Sequence, residues 1–110
     1  MYVLHALDAI DAILEYTGGG RDEFTADRKT QDAVIRNVEI LGQAVKGLAD
    51  ETRSLDGSVP WRQIAGMRHK LIHDYFGVDL ALVWDVVERE LPVLRPKLVA
   101  IKEQLAADTD

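Results

Sequence analysis

Apolar residues in this chain recur at alternating intervals of four and three, and no segment alternates apolar with polar residues over a strand's length. Val34, Val38, Leu41, Val45 and Leu48 carry the rhythm through the middle of the sequence. That spacing stacks side chains on one stripe of an α-helix, and a stripe sustained over four turns is a seam facing other helices. The rhythm returns in Leu80, Trp84, Val87, Leu91, Leu94, Leu98, Ile101 and Leu105. A chain patterned this way buries its stripes helix against helix. With short connections, the simplest result is an all-α, up-and-down bundle of four to five helices.

The punctuation between stripes sets the expected boundaries. A first helix spans roughly residues 2–16, with Leu4, Leu7, Ile10 and Leu14 on one stripe and His5, Asp8, Ala12 and Glu15 on another face. Gly18-Gly19-Gly20 ends it, because three glycines lose too much backbone entropy to continue a helix. The second helix runs from about Ala26 to Ala49, and Asp50 to Ser58 is a loop. Ser58 can cap a third helix with Pro60 in its first turn; that helix reaches Tyr75 or Phe76 and stops near Gly77, a natural left-handed terminator. Asp79 caps a fourth helix, in which Pro92 and Pro96 predict a kink or a break that preserves the packing face. No repeat, low-complexity stretch or long linker divides the sequence, so residues 1–110 are expected to form a single domain.

Composition narrows the function classes. With 47% apolar and 29% charged residues, the chain has the balance of a globular protein. No apolar run approaches the ~20 residues of a membrane span, so no membrane partner is expected. The first residues lack the basic region of a secretory signal. Cysteine is absent, which excludes disulfides, thiolate nucleophiles and cysteine metal sites. These features favour a cytoplasmic location. A net charge of −6 argues against a protein that coats nucleic acid indiscriminately, whose footprint is basic. The charge is uneven, however. Residues 1–23 hold Asp8, Asp11, Glu15, Asp22 and Glu23 against Arg21 alone, whereas residues 61–75 hold Arg62, Arg68 and Lys70 against Asp74, with His69 and His73 besides. A locally basic site on an acidic body suits a selective nucleic-acid substrate.

On a helical wheel at ~100° per residue, Trp61, Ile64, Ala65, Ile72 and Tyr75 share one face, with Arg68 in its middle. An arginine in an apolar stripe is either paired internally, here with Glu39 or Asp74, or lines a cleft. His73 falls ~140° around from Arg68, so the two flank a groove between helices or between two copies of this helix. Such a pair fits ribose-assisted RNA cleavage. An imidazole can take the proton of a 2′-hydroxyl or give one to the leaving 5′-oxygen, and a guanidinium can stabilise charge on the phosphorane. This route calls for no metal and no cofactor. Other readings stand beside it. His69 and His73, at i and i+4, could hold a metal, although no third ligand sits at zinc-enzyme spacing. His5 reads as a packed or solvated helix residue, and Tyr75 as a core-edge residue. Arg36, Asn37, Glu39 and Gln43 form either a solvated face or a substrate-binding one.

The string Arg68-x4-His73-x-Tyr75 resembles the RX4HXY motif of HepT-type toxins in the HEPN superfamily. The likeness extends through Asp22-Glu23-Phe24, Asp27-Arg28, Thr30 to Asn37, Glu39 to Gly42, Pro60 to Arg68 and Val83-Trp84, and so covers about Tyr2 to Leu98. The resemblance implies a homodimer in which the motif helices of two protomers share a catalytic cleft. It implies a metal-independent endoribonuclease, some HepT proteins acting on tRNA. Arg68 and His73 match the catalytic pair and His69 the polar position after the arginine; beside them, Arg36 and Asn37 are expected as supporting, substrate-binding residues. Tyr75 matches the tyrosine that an MNT-type nucleotidyltransferase antitoxin (MntA) modifies with AMP from ATP. A bulky anionic group beside Arg68 would occupy the substrate's phosphate site. Two alternatives remain: a non-catalytic subunit that binds a nucleotidyltransferase and nucleotide through Arg68 and Tyr75, and a metal-dependent hydrolase using His69 and His73.

Overall fold

Asp27 sets the start of the long helix expected from about Ala26. Its carboxylate accepts the Lys29 amide at 3.0 Å and the Thr30 hydroxyl at 2.9 Å, the geometry of an N-cap. Its backbone is therefore extended (φ −116°, ψ 105°) and cannot continue the preceding turn. The computed structural model describes residues 2–73 and 77–108, with Ile72 and His73 by backbone alone. In it a short α2 (Arg21–Ala26) precedes α3 (Arg28–Lys46), and Gln31 Nε2 donates to the carbonyls of Phe24 and Thr25 that end α2. Before them, α1 (Tyr2–Tyr16) stops ahead of the glycine triplet, as expected, and Gly20 takes φ +93°. One turn, α4 (Asp50–Arg53), interrupts the stretch expected to be loop. There follow α5 (Trp61–Ala65), α6 (Met67–Leu71), α7 (Leu80–Asp85), a π-helical turn (Val86–Glu90) and α8 (Leu91–Asp108).

The predicted seam of α3 is the centre of the core. Val34, Val38, Leu41, Val45 and Leu48 are all buried, as are Leu91, Leu94, Leu98 and Ile101 of α8. α1 packs along α3 and α8, while α5 and α6 lie against α3. The face of α1 differs from the expected one. Val3, Ala6, Leu7, Ala9, Ile10 and Ile13 are buried, whereas Leu4 is 48% exposed. The small side chains of Ala6 and Ala9 let α1 approach its neighbours, and turning them inward carries Leu4 out. Gly42 performs a similar service on α3. A Cβ there would lie 3.2 Å from the Ala65 carbonyl and 3.5 Å from that of Ile64, so α5 crosses α3 nearly backbone to backbone.

The third predicted helix is corrected in three places. Ser58 does not cap it. Its hydroxyl and amide both donate to Asp56 Oδ1, at 2.5 and 2.9 Å, and α5 follows Pro60 with no side-chain cap. The Trp61 indole N–H donates to the Arg53 and Asp56 carbonyls at 2.9 and 3.1 Å, securing the loop to the start of α5. The helix is then interrupted at Gly66, and α6 ends at Leu71 rather than at Tyr75 or Phe76.

At Ile72 and His73 the backbone is extended. β1 (Ile72–His73) pairs antiparallel with β2 (Gly77–Val78), Ile72 opposite Val78 and His73 opposite Gly77, and the Asp79 amide donates to the Leu71 carbonyl at 2.9 Å. Gly77 has the expected positive φ, +85°, but within a strand pair rather than at a helix end. These two-residue strands are the one departure from an all-α bundle among the described residues. β-branched Ile72 and Val78 suit such a pairing, which periodicity along one segment cannot reveal. Asp74, Tyr75 and Phe76 lie outside the described residues.

Asp79 caps α7 as expected, accepting the Leu82 amide at 3.1 Å. The prolines produce no break. The π turn shifts the hydrogen-bond ladder by one residue, with the Leu91 amide donating to the Val86 carbonyl. That shift falls just before Pro92, whose ring would otherwise press on the carbonyl four residues back. Pro96 sits inside α8. The helical run from Leu80 to Asp108 is about 43 Å long at 1.5 Å per residue and accounts for the long axis of a body measuring 47 × 27 × 20 Å. Among the described residues no helix is long and apolar enough to cross a membrane.

Candidate functional site

Arg36, Glu39, Gln43 and Lys46 recur along α3 at intervals of three, four and three, and so form one polar stripe. The stripe lines an open trough of about 800 Å³, to which α1 contributes Tyr2 and His5 and α6 contributes Arg68 and His69. The close crossing at Gly42 brings α5 against α3, and α6 follows one residue later with Arg68 near its start. Met67 and Leu71 on α6, with Ile64 on α5, face the core. That stripe leaves Arg68 beside the core, not in the middle of an apolar face.

The geometry at Glu39 meets both readings of Arg68 in part. Arg68 Nε lies 3.5 Å from Glu39 Oε1, and Arg36 Nη1 lies 3.9 Å from Glu39 Oε2. Both separations exceed a charge-assisted hydrogen bond, and the Arg68 side chain is 54% exposed. Exposed pairs of this kind contribute about 0–1 kcal/mol. Arg68 is thus paired, but loosely and within the trough. Among the described residues, the lining sets Arg36, Lys46 and Arg68, with the imidazoles of His5 and His69, against the single carboxylate of Glu39. On a chain of net charge −6, that is a local reversal of sign in a concave surface, which concentrates anions.

The other expected residues separate. His69 and Arg36 line the trough with Arg68. Asn37 does not; its amide donates to the Ala33 carbonyl at 2.9 Å, one turn back on its own helix. The backbone of His73 belongs to β1, so neither the helical angle between Arg68 and His73 nor the i,i+4 alignment of His69 with His73 holds. The His73 side chain and all of Tyr75 lie outside the described residues. Among the described residues, no three His, Cys, Asp or Glu side chains gather as a metal site requires.

Lys46 and Tyr2 are not among the residues that sequence reasoning singles out, and His5 reads there as packed or solvated. Lys46 was detectable, since it completes the three-four-three spacing begun by Arg36. Tyr2 and His5 had no comparable signal, because their place depends on how α1 docks against α3.

An all-α bundle with two arginines in a trough of excess positive charge on an acidic body defines a small helical protein with a cationic groove. More narrowly, this chain belongs to the HepT-like ribonuclease family of the HEPN superfamily, the family described as Ribonuclease HepT-like matching residues 6–101. It is 40% identical over 103 residues to "Probable ribonuclease HepT" of Thermococcus cleftensis, covering 93% of this chain and 94% of that one. It is also 43% identical over 106 residues to "Gamma-glutamylcyclotransferase and putative RNase" of Methanocaldococcus jannaschii. That match takes in 96% of this chain and 48% of the relative, so the chain spans about half the relative's length. No solved structure matches.

Proposed function

We propose that this chain is a metal-independent endoribonuclease of the toxin type, acting as a homodimer in which two copies of the motif segment share one cleft. Arg68 donates to the scissile phosphate and stabilises the charge that grows on the phosphorane. His73 takes the proton of the 2′-hydroxyl as the 2′-oxygen bonds to phosphorus. The bond to the 5′-oxygen breaks, and the proton held by imidazole is delivered to that oxygen. The products are a 2′,3′-cyclic phosphate and a 5′-hydroxyl. Arg36 and His69 bind flanking phosphates, and Asn37 supports the same stretch of α3. Structured RNA of the tRNA class is the target. Neutralisation comes from an MNT-type nucleotidyltransferase antitoxin: the Tyr75 phenolic oxygen attacks the α-phosphorus of ATP, pyrophosphate leaves, and the AMP group occupies the phosphate site.

The observation that carries this reading is Arg68, loosely held and half exposed in a trough of excess positive charge. Family membership supports the same chemistry. The test is cleavage of an RNA pool by purified wild type, Arg68→Ala and His73→Ala. Loss of either group should slow cleavage by roughly 10²- to 10³-fold with the circular dichroism of the fold intact, and chelators should leave the wild-type rate unchanged. Full cleavage by either variant rejects the assigned roles. Intact mass after incubation with the partner and ATP should rise by whole AMP units in wild type and not in Tyr75→Phe.

A further inference from the structure

The end of the trough away from Arg68 has a different chemistry. Tyr2 is 49% exposed and meets His5 edge to face, ring centroids 6.1 Å apart at 86°. Both rings line the trough that holds the cations. The Tyr2 ring lies over Gly47, where a Cβ would come within 2.7–2.9 Å of three of its carbons. Gly47 itself has an ordinary right-handed conformation (φ −80°, ψ −8°), so the backbone does not require glycine there. What requires the missing side chain is the ring. Along α3, Gly47 is eight residues from Glu39, which marks the level of Arg68, a separation of about 12 Å. An aromatic shelf at that remove from a phosphate-binding arginine is out of reach of the same phosphate. It suits the flat, neutral part of a bound strand.

We propose that Tyr2 and His5 form a nucleobase subsite, in which a base of the bound single strand stacks on the phenol ring while its phosphates run along Arg36 and Lys46 toward Arg68. Unpaired RNA is commonly held in this way, with bases on aromatic or imidazole rings and phosphates on cations. The proposal rests on the ribonuclease reading for its ligand, and its test separates the two. The probe is a short single-stranded RNA with every 2′-oxygen methylated, which binds but cannot be cleaved by 2′-attack. Its affinity is compared with cleavage of the unmodified strand.

Tyr2→Ala should weaken probe binding by roughly 5- to 100-fold and raise KM for cleavage in proportion with kcat unchanged, while Tyr2→Phe binds as wild type. Gly47→Ala should reproduce the weakening without loss of fold, since the added methyl displaces the end of a flexible side chain and not backbone. If wild type binds and cleaves but Tyr2→Ala does both as well, the subsite is overturned and the nuclease reading stands. If wild type binds without cleaving, and Tyr2→Ala loses binding, the subsite stands and the nuclease reading falls. No binding by wild type overturns both. A change only in oligomeric state on Tyr2→Ala also overturns the subsite.

Discussion

At Glu39 one carboxylate serves two guanidiniums, Arg68 at 3.5 Å and Arg36 at 3.9 Å, and it is the only acidic side chain lining the trough among the described residues. A phosphate arriving at Arg68 competes with a carboxylate already tethered there. Removing the competitor raises the positive charge of the trough by one and releases both arginines. Glu39→Gln should therefore bind a non-cleavable RNA up to about fivefold more tightly at low salt, the scale of one exposed ion pair, with the gain shrinking as salt is added. Fluorescence anisotropy across a salt series measures this; weaker binding at every salt concentration would mean that Glu39 positions Arg68 instead of competing for it. Arg68 and its partner Glu39 were legible in the sequence, because a guanidinium set among apolar neighbours at helical spacing needs either a counter-charge or an open cleft. The setting of Arg68 was not. The helical wheel requires an uninterrupted helix from Ser58 to Tyr75, and Gly66 and the extended Ile72–His73 break that register twice.

Among elements, the bonds that hold α1 to α8 are unevenly spread. Arg95 on α8 grips Asp11 on α1 with two parallel hydrogen bonds, Nε to Oδ1 at 2.6 Å and Nη2 to Oδ2 at 3.2 Å, across 84 residues of sequence. The hydrogen bond from the Arg95 guanidinium, with its charge, holds the Asp11 carboxyl below its ordinary value against an opposing effect of burial. A carboxyl whose pKa is depressed on folding stabilises the native state above its unfolded pKa of ~3.9, and that contribution is lost as pH falls through the lowered native value. Asp11→Asn should accordingly be less stable than wild type at neutral pH, and the gap should close below about pH 4 in urea denaturation series. A gap that persists unchanged into strong acid would show that the pair contributes nothing through its charge. The seams of α3 and α8 were legible because apolar period and burial express the same fact on a straight helix. The face of α1 was not, since two alanines on the buried side look weaker than Leu4 on any scale of residue type. The π turn was also hidden: Pro92 and Pro96 announced a disturbance, but the ladder shift that absorbs it depends on the whole run staying packed.

For the whole molecule, the arrangement of the segment from Leu71 to Asp79 has a consequence for control. The strand pair and the Asp79-to-Leu71 hydrogen bond fasten this segment at both ends, so the chain leaves α6 and re-enters α7 through one closed clasp. Tyr75 itself lies outside the described residues, but in sequence a group attached to it falls between the two paired strands and not on α3 or α8. Inactivation by such a mark should then be decoupled from folding. Thermal melts of the modified and unmodified protein should superimpose within about 2 °C, on a scale where 1 kcal/mol moves a domain of this size by roughly 4–8 °C, while cleavage is abolished. A melting temperature displaced by several degrees would mean the clasp leaks. If it holds, the mark proposed for Tyr75 would silence the site and leave the scaffold as it was built.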